Sequence, residues 1–241
     1  MPTGPFEREP DRKVGLLTAD PHPTLLAIAA HSGVDFMILD AEQTSLTVHD
    51  CAAAVQQLRG TGVHVSVRVP DLGADTLVAF ANTGVQALVL PHLRHVEELE
   101  KAAEAVRYAP EGRRSRQVSF ASGFGSDFGD PPRLDVLFET VDAVDRAADF
   151  AASAAFGGGW LGTTDLFSDL QRTGRADGNA LDKAVQHVVD TVRGAGYSIG
   201  LPAASAARAD EVFARGADRC VIYWERELAS LLTAYADSRN A

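Results

Sequence analysis

The chain has 241 residues, 46% of them hydrophobic, and a formal net charge of −11. That length and apolar content suit one large core of about the size of a single (β/α) barrel. The acidic balance argues against a surface for nucleic acid or anionic membrane, because phosphates are repelled; with no uninterrupted apolar stretch of about 18 residues, a soluble cytoplasmic protein is expected.

Residues 1–12 mix charges and prolines without the apolar centre of a signal peptide, so a short disordered lead is expected before one domain spanning 13–241. From there short apolar runs alternate with segments of helical period. The expected strands are VGLLT (14–18), VDFMILD (34–40), VHVSVRV (63–69), VQALVLP (85–91), LDVLFE (134–139), GGWLG (158–162), YSIGLP (197–202) and RCVIYW (219–224). Helical patterns such as PTLLAIAAHSG, VHDCAAAVQQLRGTG, ADTLVAFANTG and VEELEKAAEAVRYAP lie between them, each closing on Gly or Pro. Gly33, Gly62 and Gly84 are each followed at once by the valine that starts a new strand. Eight strands separated by helices predict an α/β fold, a closed (β/α)8 barrel.

Other segments carry less. The stretch 111–133 has no clean period and ends in Pro131 and Pro132, as expected of a functional loop or lid. The glycine clusters GFGSDFG and GGGWLG lack the spacing and context of a nucleotide loop. Cys51 and Cys220 form neither a disulfide framework nor a metal-ligand spacing and read as buried reduced thiols. The apolar stripe of ERELASLLTAYADS (225–238) suits packing across subunits or onto its own barrel.

In such a barrel the side chains at the carboxyl ends of the strands converge on one face, where the chemistry sits. Strand two delivers Asp40, Glu42 and Gln43, strand three Arg68, strand four Pro91 and His92, strand five Glu139, and the loop after strand six Asp165. Carboxylates this close to apolar strands need a cation, and either a divalent metal or Arg68 supplies one. An internal salt bridge, with Asp165 capping a helix, is the alternative on spacing alone.

The segments GVDFMILDAEQTSL, VSVRVP, VQALVLPHLRHVEELEKAAEAVRYAPEGRR, LFETVDAV and GTTDLF, in this order, resemble the HpcH/HpaI aldolases, metal-dependent class II pyruvate aldolases of the 4-hydroxy-2-oxoheptanedioate aldolase type. The resemblance implies a TIM barrel of the phosphoenolpyruvate/pyruvate-domain type and a divalent ion held by Glu139 and Asp165. Mg2+ or Mn2+ is the first expectation, with Co2+ admissible. It also implies Arg68 beside the keto oxygen of a 2-oxo acid such as pyruvate or oxaloacetate, an aldehyde or other acceptor, and a homo-oligomer, trimer or hexamer. Backbone N–H groups after Gly162, at Thr163, Thr164 and Asp165, are expected to hold the substrate carboxylate at a helix N-terminus.

Two departures stand out. Gln43 occupies the place of the family's acid/base histidine, and Leu137 that of a glutamine found in many relatives. An amide orients a hydroxyl but takes no proton near neutral pH. His92, directly after strand four, and His22, in an Asp-Pro-His-Pro turn, are the candidate replacements. The expected function is a carbon–carbon lyase, aldolase or decarboxylase; loss of CO2 needs enolate stabilisation but no alcohol deprotonation. Two alternatives stand beside it. One is a non-catalytic metal- and oxo-acid-binding barrel or partner subunit, favoured by Gln43 and Leu137. The other is a citryl-CoA or malyl-CoA type lyase, for which Arg113, Arg114 and Arg116 offer a basic groove.

Overall fold

The computed structural model of the chain describes residues 12–240, so all but the last residue of the lead expected at 1–12 lies outside the described residues. Eight parallel strands close into a barrel in sequence order: β1 Lys13–Thr18, β2 Phe36–Asp40, β3 His64–Arg68, β4 Ala87–Leu90, β5 Arg133–Phe138, β6 Gly158–Leu161, β7 Ile199–Pro202 and β8 Arg219–Tyr223. The helices are α1 Pro23–Ser32, α2 Val48–Leu58, α3 Ala74–Ala81, α4 Val96–Val106, α5 Val141–Asp145, α6 Ala147–Ala152, α7 Thr163–Arg172, α8 Ala180–Gly194, α9 Ala209–Ala214 and α10 Trp224–Asp237. All eight expected strands are present, which makes the fold a (β/α)8 barrel. Among the described residues no helix is long and apolar enough to cross a membrane.

Strands covered on both faces read as continuous apolar runs, and alternate residues point to opposite sides. Met37, Leu39, Val65, Val67, Leu88, Leu90, Val136 and Phe138 therefore belong to the core beneath the helices. Leu17, Phe36, Ile38, Val89, Leu137, Trp160 and Val221 form a separate cluster that fills the barrel. Glycines at the paired positions of neighbouring strands make room for its two large rings: a Cβ at Gly200 would collide with Trp160, and one at Gly15 with Phe36. Cys51 and Cys220 are free and buried, and burial pushes the Cys51 thiol up to about 11.

A charged network closes the amino ends of β5, β6 and β8. Asp135 is 0% exposed. Its Oδ2 accepts from Arg133 at 2.7 Å, Arg219 at 2.8 Å and the Trp160 indole at 3.1 Å. Burial alone would raise this carboxyl, but Arg133 and Arg219 outweigh it and hold Asp135 below the usual range. The Arg219 guanidinium also lies 4.5 Å from the Trp160 ring centre.

Glycine ends the helices where expected: Gly33 and Gly84 have φ of 78° and 90°, left-handed values that a side chain disfavours. The segment between α4 and β5 corrects the expectation of a lid. It connects a helix end to a strand start, so it lies at the barrel end opposite the strand carboxyl termini. It is pinned there: Ser122, 0% exposed, donates to Gln117 O at 2.9 Å, and Arg114, 5% exposed, donates to Asn82 Oδ1 at 2.7 Å and stacks 4.7 Å from Tyr108. Arg113, Arg114 and Arg116 belong to this far end.

Candidate active site

Parallel register brings Asp40 directly beside Arg68 at the carboxyl ends of β2 and β3. The pair is bidentate, Arg68 Nε to Asp40 Oδ1 at 2.9 Å and Nη2 to Oδ2 at 2.7 Å, while Nη1 lies 3.0 Å from Glu42 Oε2. Burial works against the Arg68 charge, yet Asp40 and Glu42 overcome it and hold the guanidinium above its ordinary value. Asp40 Oδ1 also accepts the Glu42 N–H at 3.1 Å, which folds the chain after β2 back over the rim.

Glu139, the first residue past β5, is 2% exposed. Its Oε1 accepts the His92 N–H at 2.7 Å. His92 adopts φ 59°, a left-handed backbone unusual outside glycine and a mark of functional sites. That turn sets the imidazole between two carboxylates, Nδ1 at 3.0 Å from Glu139 Oε1 and Nε2 at 2.7 Å from Glu42 Oε1. Glu42, His92 and Glu139 thus bring ligand atoms within 4.8 Å of one another. Burial pushes the Glu139 carboxyl up to about 7, against the pull of the His92 N–H and ring, and the charges of Glu42 and Asp165 add to the rise. Glu139 Oε2 is buried with no hydrogen-bond partner among the described residues. A buried oxygen left so is costly. Oxygen and nitrogen donors around an orphaned carboxylate oxygen fit a divalent cation.

Asp165 sits in the first turn of α7 and is exposed, outside the Glu42–His92–Glu139 group. With Arg68, Gly162, Thr163, Thr164 and Tyr223 it lines a rim cavity of about 300 Å³. The first bond of α7 runs from the Leu166 N–H to Gly162 O at 2.9 Å, so the N–H groups of Thr163, Thr164 and Asp165 stay outside the helical ladder. Gly162 is glycine for a reason of space: a Cβ there would lie 2.9 Å from Glu139 Cβ and 3.1 Å from its Oε2.

The two remaining candidates are placed differently. Gln43 is exposed and donates to Glu42 Oε1 at 3.3 Å. His22 caps α1, its Nδ1 accepting the Thr24 N–H at 3.2 Å, an occupation that ties up one ring nitrogen. Leu137 is buried in the cluster that fills the barrel, two residues before Glu139. Tyr223 and Arg226 also line the cavity and escaped the sequence reading; burial pushes the Tyr223 phenol up, and Arg226 lies 5.0 Å from its ring. The inward period of β8 was the available signal for Tyr223. The role of Glu42 as the shared partner of Arg68 and His92 was likewise missed, although its place two residues after Asp40 put it on the rim. A larger groove of about 470 Å³ runs along α5, α7 and α8 in the outer helix layer. Its charges include the exposed Arg175–Asp145 pair at 2.7 Å, and it lacks the converging strand ends.

The HpcH/HpaI aldolase/citrate lyase family model matches residues 13–223. Hydroxypyruvate/pyruvate aldolase of Roseovarius nubinhibens is 28% identical over 194 residues, which cover 76% of this chain and 74% of that protein. The crystal structure of an HpcH/HpaI aldolase/citrate lyase family protein from Burkholderia cenocepacia superposes with a TM-score of 0.85 at 19% identity, over 97% of this chain and 95% of that one. The citrate lyase beta subunit from M. tuberculosis, complexed with oxaloacetate and magnesium, superposes with a TM-score of 0.59 at 20% identity, over 93% and 97%. At these identities the structural likenesses bear on the fold alone.

Proposed function

The chain belongs to the HpcH/HpaI aldolase/citrate lyase family, and from that premise we propose a metal-dependent carbon–carbon lyase that works through the enolate of a 2-oxo acid such as pyruvate or oxaloacetate. The observation that carries it is Glu139, a buried rim carboxylate with one oxygen unpartnered, close to Gly162 at the edge of the cavity that Arg68 lines. Glu139 and Asp165 are the residues assigned to hold the ion. A hard divalent cation there, Mg2+ or Mn2+ with Co2+ admissible, supplies Lewis acidity to the carboxylate and keto oxygens of the oxo acid.

The rest of the work belongs to the chain. Arg68, fixed by Asp40 and Glu42, presents a permanent positive donor to the oxygen that gains charge. The open N–H groups of Thr163 and Thr164 receive the substrate carboxylate at the positive end of α7. Leu17, Ile38, Val89 and Leu137 below them form an apolar floor that keeps water from the reacting carbon. Gln43 orients a hydroxyl or water and takes no proton. His22 spends a ring nitrogen on its helix cap. Decarboxylation of a 2-oxo diacid, which needs no alcohol proton removed, fits this pair of residues directly, and aldol cleavage fits with His92 as the remaining base on the rim.

Incubation with Mn2+ and pyruvate in D2O is expected to deuterate the methyl group, and oxaloacetate is expected to be consumed faster than by free Mn2+. Neither event occurring would overturn the reading. A second reading, a barrel that binds the metal–oxo-acid pair without turnover, is favoured by Gln43 and Leu137. Gln43→His separates the two, because aldolase activity that appears only in the variant marks the native site as idle or tuned to other chemistry. For a citryl-CoA or malyl-CoA lyase, Arg113, Arg114 and Arg116 stand at the wrong end of the barrel to form its groove.

A further inference from the structure

We infer that His92 is itself a ligand of the ion, giving it an imidazole nitrogen beside the Glu139 carboxylate, with Glu42 as the carboxylate that orients the ring. The inference rests on the proposed metal chemistry and adds to it a donor that neither the sequence motifs nor the comparisons assign.

The argument starts from the ring itself. Each imidazole nitrogen faces a carboxylate oxygen, Nε2 at 2.7 Å from Glu42 Oε1 and Nδ1 at 3.0 Å from Glu139 Oε1. A nitrogen lone pair aimed at a carboxylate oxygen is repelled, so each contact must hold a proton, carried by either partner, or a metal ion. With a ring proton on Nε2 serving the shorter contact to Glu42, the Nδ1 lone pair and Glu139 Oε1 are a pair of donors able to share a cation.

The spacing agrees. Two donors bound at right angles to one ion, each about 2.1 Å from it, lie about 3.0 Å apart. Glu139 Oε2 is buried without a partner, so this carboxylate still lacks part of its coordination. Glu42 also fits the role of a supporting carboxylate: metal-bound histidines donate their second ring N–H to such a group, which fixes the tautomer. Glu42 is held in turn by Arg68 at 3.0 Å and by Gln43 at 3.3 Å. The left-handed backbone of His92 makes this geometry, because it directs the ring and the main-chain N–H of one residue at the same carboxylate.

A nitrogen donor changes which ion the site prefers. Imidazole suits the later first-row metals, Co2+ among them, better than Mg2+, which favours oxygen. Selection for cobalt over magnesium follows.

The test uses Mn2+ as the probe on the full chain. Pulsed EPR of the Mn2+-loaded protein is expected to show a directly bound 14N, replaced by the 15N pattern when the unmutated protein is labelled with 15N-histidine. His92→Asn, chosen because asparagine tolerates a left-handed backbone, is expected to lose the nitrogen coupling and to raise the Mn2+ dissociation constant at least 10-fold. Glu42→Gln is expected to keep the coupling while weakening binding about 10–100-fold. Bound Mn2+ without nitrogen coupling, or a coupling that persists in His92→Asn, would overturn the inference and leave the metal-dependent lyase standing. Failure to bind Mn2+ at all would remove that reading, and this one with it.

Discussion

At the scale of single residues, Glu139 governs how the site responds to pH. Burial lifts its carboxyl to about 7, so the metal-free folded chain keeps a proton that the unfolded chain, near 4.5, has released. Between those two values the folded state holds the extra proton, and metal-free stability falls as pH rises. A cation must displace that proton. Mn2+ affinity is therefore expected to fall about 10-fold for each pH unit below 7 and to level off above it. Calorimetric titration on both sides of that value checks this, and a flat profile would contradict it. Gly162→Ala tests the same neighbourhood sterically. Its Cβ would crowd Glu139, so a loss of metal affinity with little change in thermal stability is expected, measured by titration and calorimetry on one sample.

What could be read at this scale was the position of residues, and what could not was their pairing. Arg68, Glu139 and Asp165 were visible as polar groups ending apolar runs. The contacts of His92 were not, because they depend on one left-handed turn at a residue whose sequence neighbours, Pro91 and Leu93, do not announce it. Asp135 was hidden for a related reason. A single aspartate inside LDVLF looks like an interruption of a strand until Arg133, Arg219 and Trp160 are seen around it.

At the scale of elements, all eight strands were legible, since each is a short run rich in β-forming apolar residues and most are entered from a glycine or proline break. The helices between β5 and β6 were less so: α5 and α6 meet at Arg146 and are too short to show a period. The stretch before β5 was misread because an irregular, glycine-rich sequence carries no label for the end of the barrel on which it sits. Only the order of helix and strand fixes that. The network at the strand starts gives this scale its own prediction. Asp135→Asn leaves Arg133 and Arg219 with less of the charge they share, and breaking such a buried pair costs about 3–5 kcal/mol. Urea denaturation should show that loss. Mn2+ affinity at the opposite end should stay unchanged.

At the scale of the whole molecule, α10 is the element with unfinished packing. It buries none of its residues, and Leu231, Leu232 and Tyr235 are 66%, 55% and 78% exposed along it. We propose that this face meets a second copy of the chain, in keeping with the homo-oligomer that the family resemblance implies. Exposed apolar clusters of this kind mark interaction surfaces. Leu231→Glu together with Leu232→Glu is expected to lower the mass found by analytical ultracentrifugation without altering the far-UV circular dichroism spectrum. A mass equal to one chain in the unmutated protein would contradict the proposal. Thr18 and the Ala19 N–H both bind Glu225, at 2.6 and 2.7 Å, so the start of α10 is tied to the end of β1.

The rings of Phe36 and Trp160, seated over glycines and backed by Asp135 and its arginines, stopper the barrel from below. Traffic then has a single doorway. Where the chemistry joins two molecules, both must share that rim cavity at once. Steady-state kinetics in the joining direction should accordingly be sequential, a pattern that initial-velocity plots reveal directly.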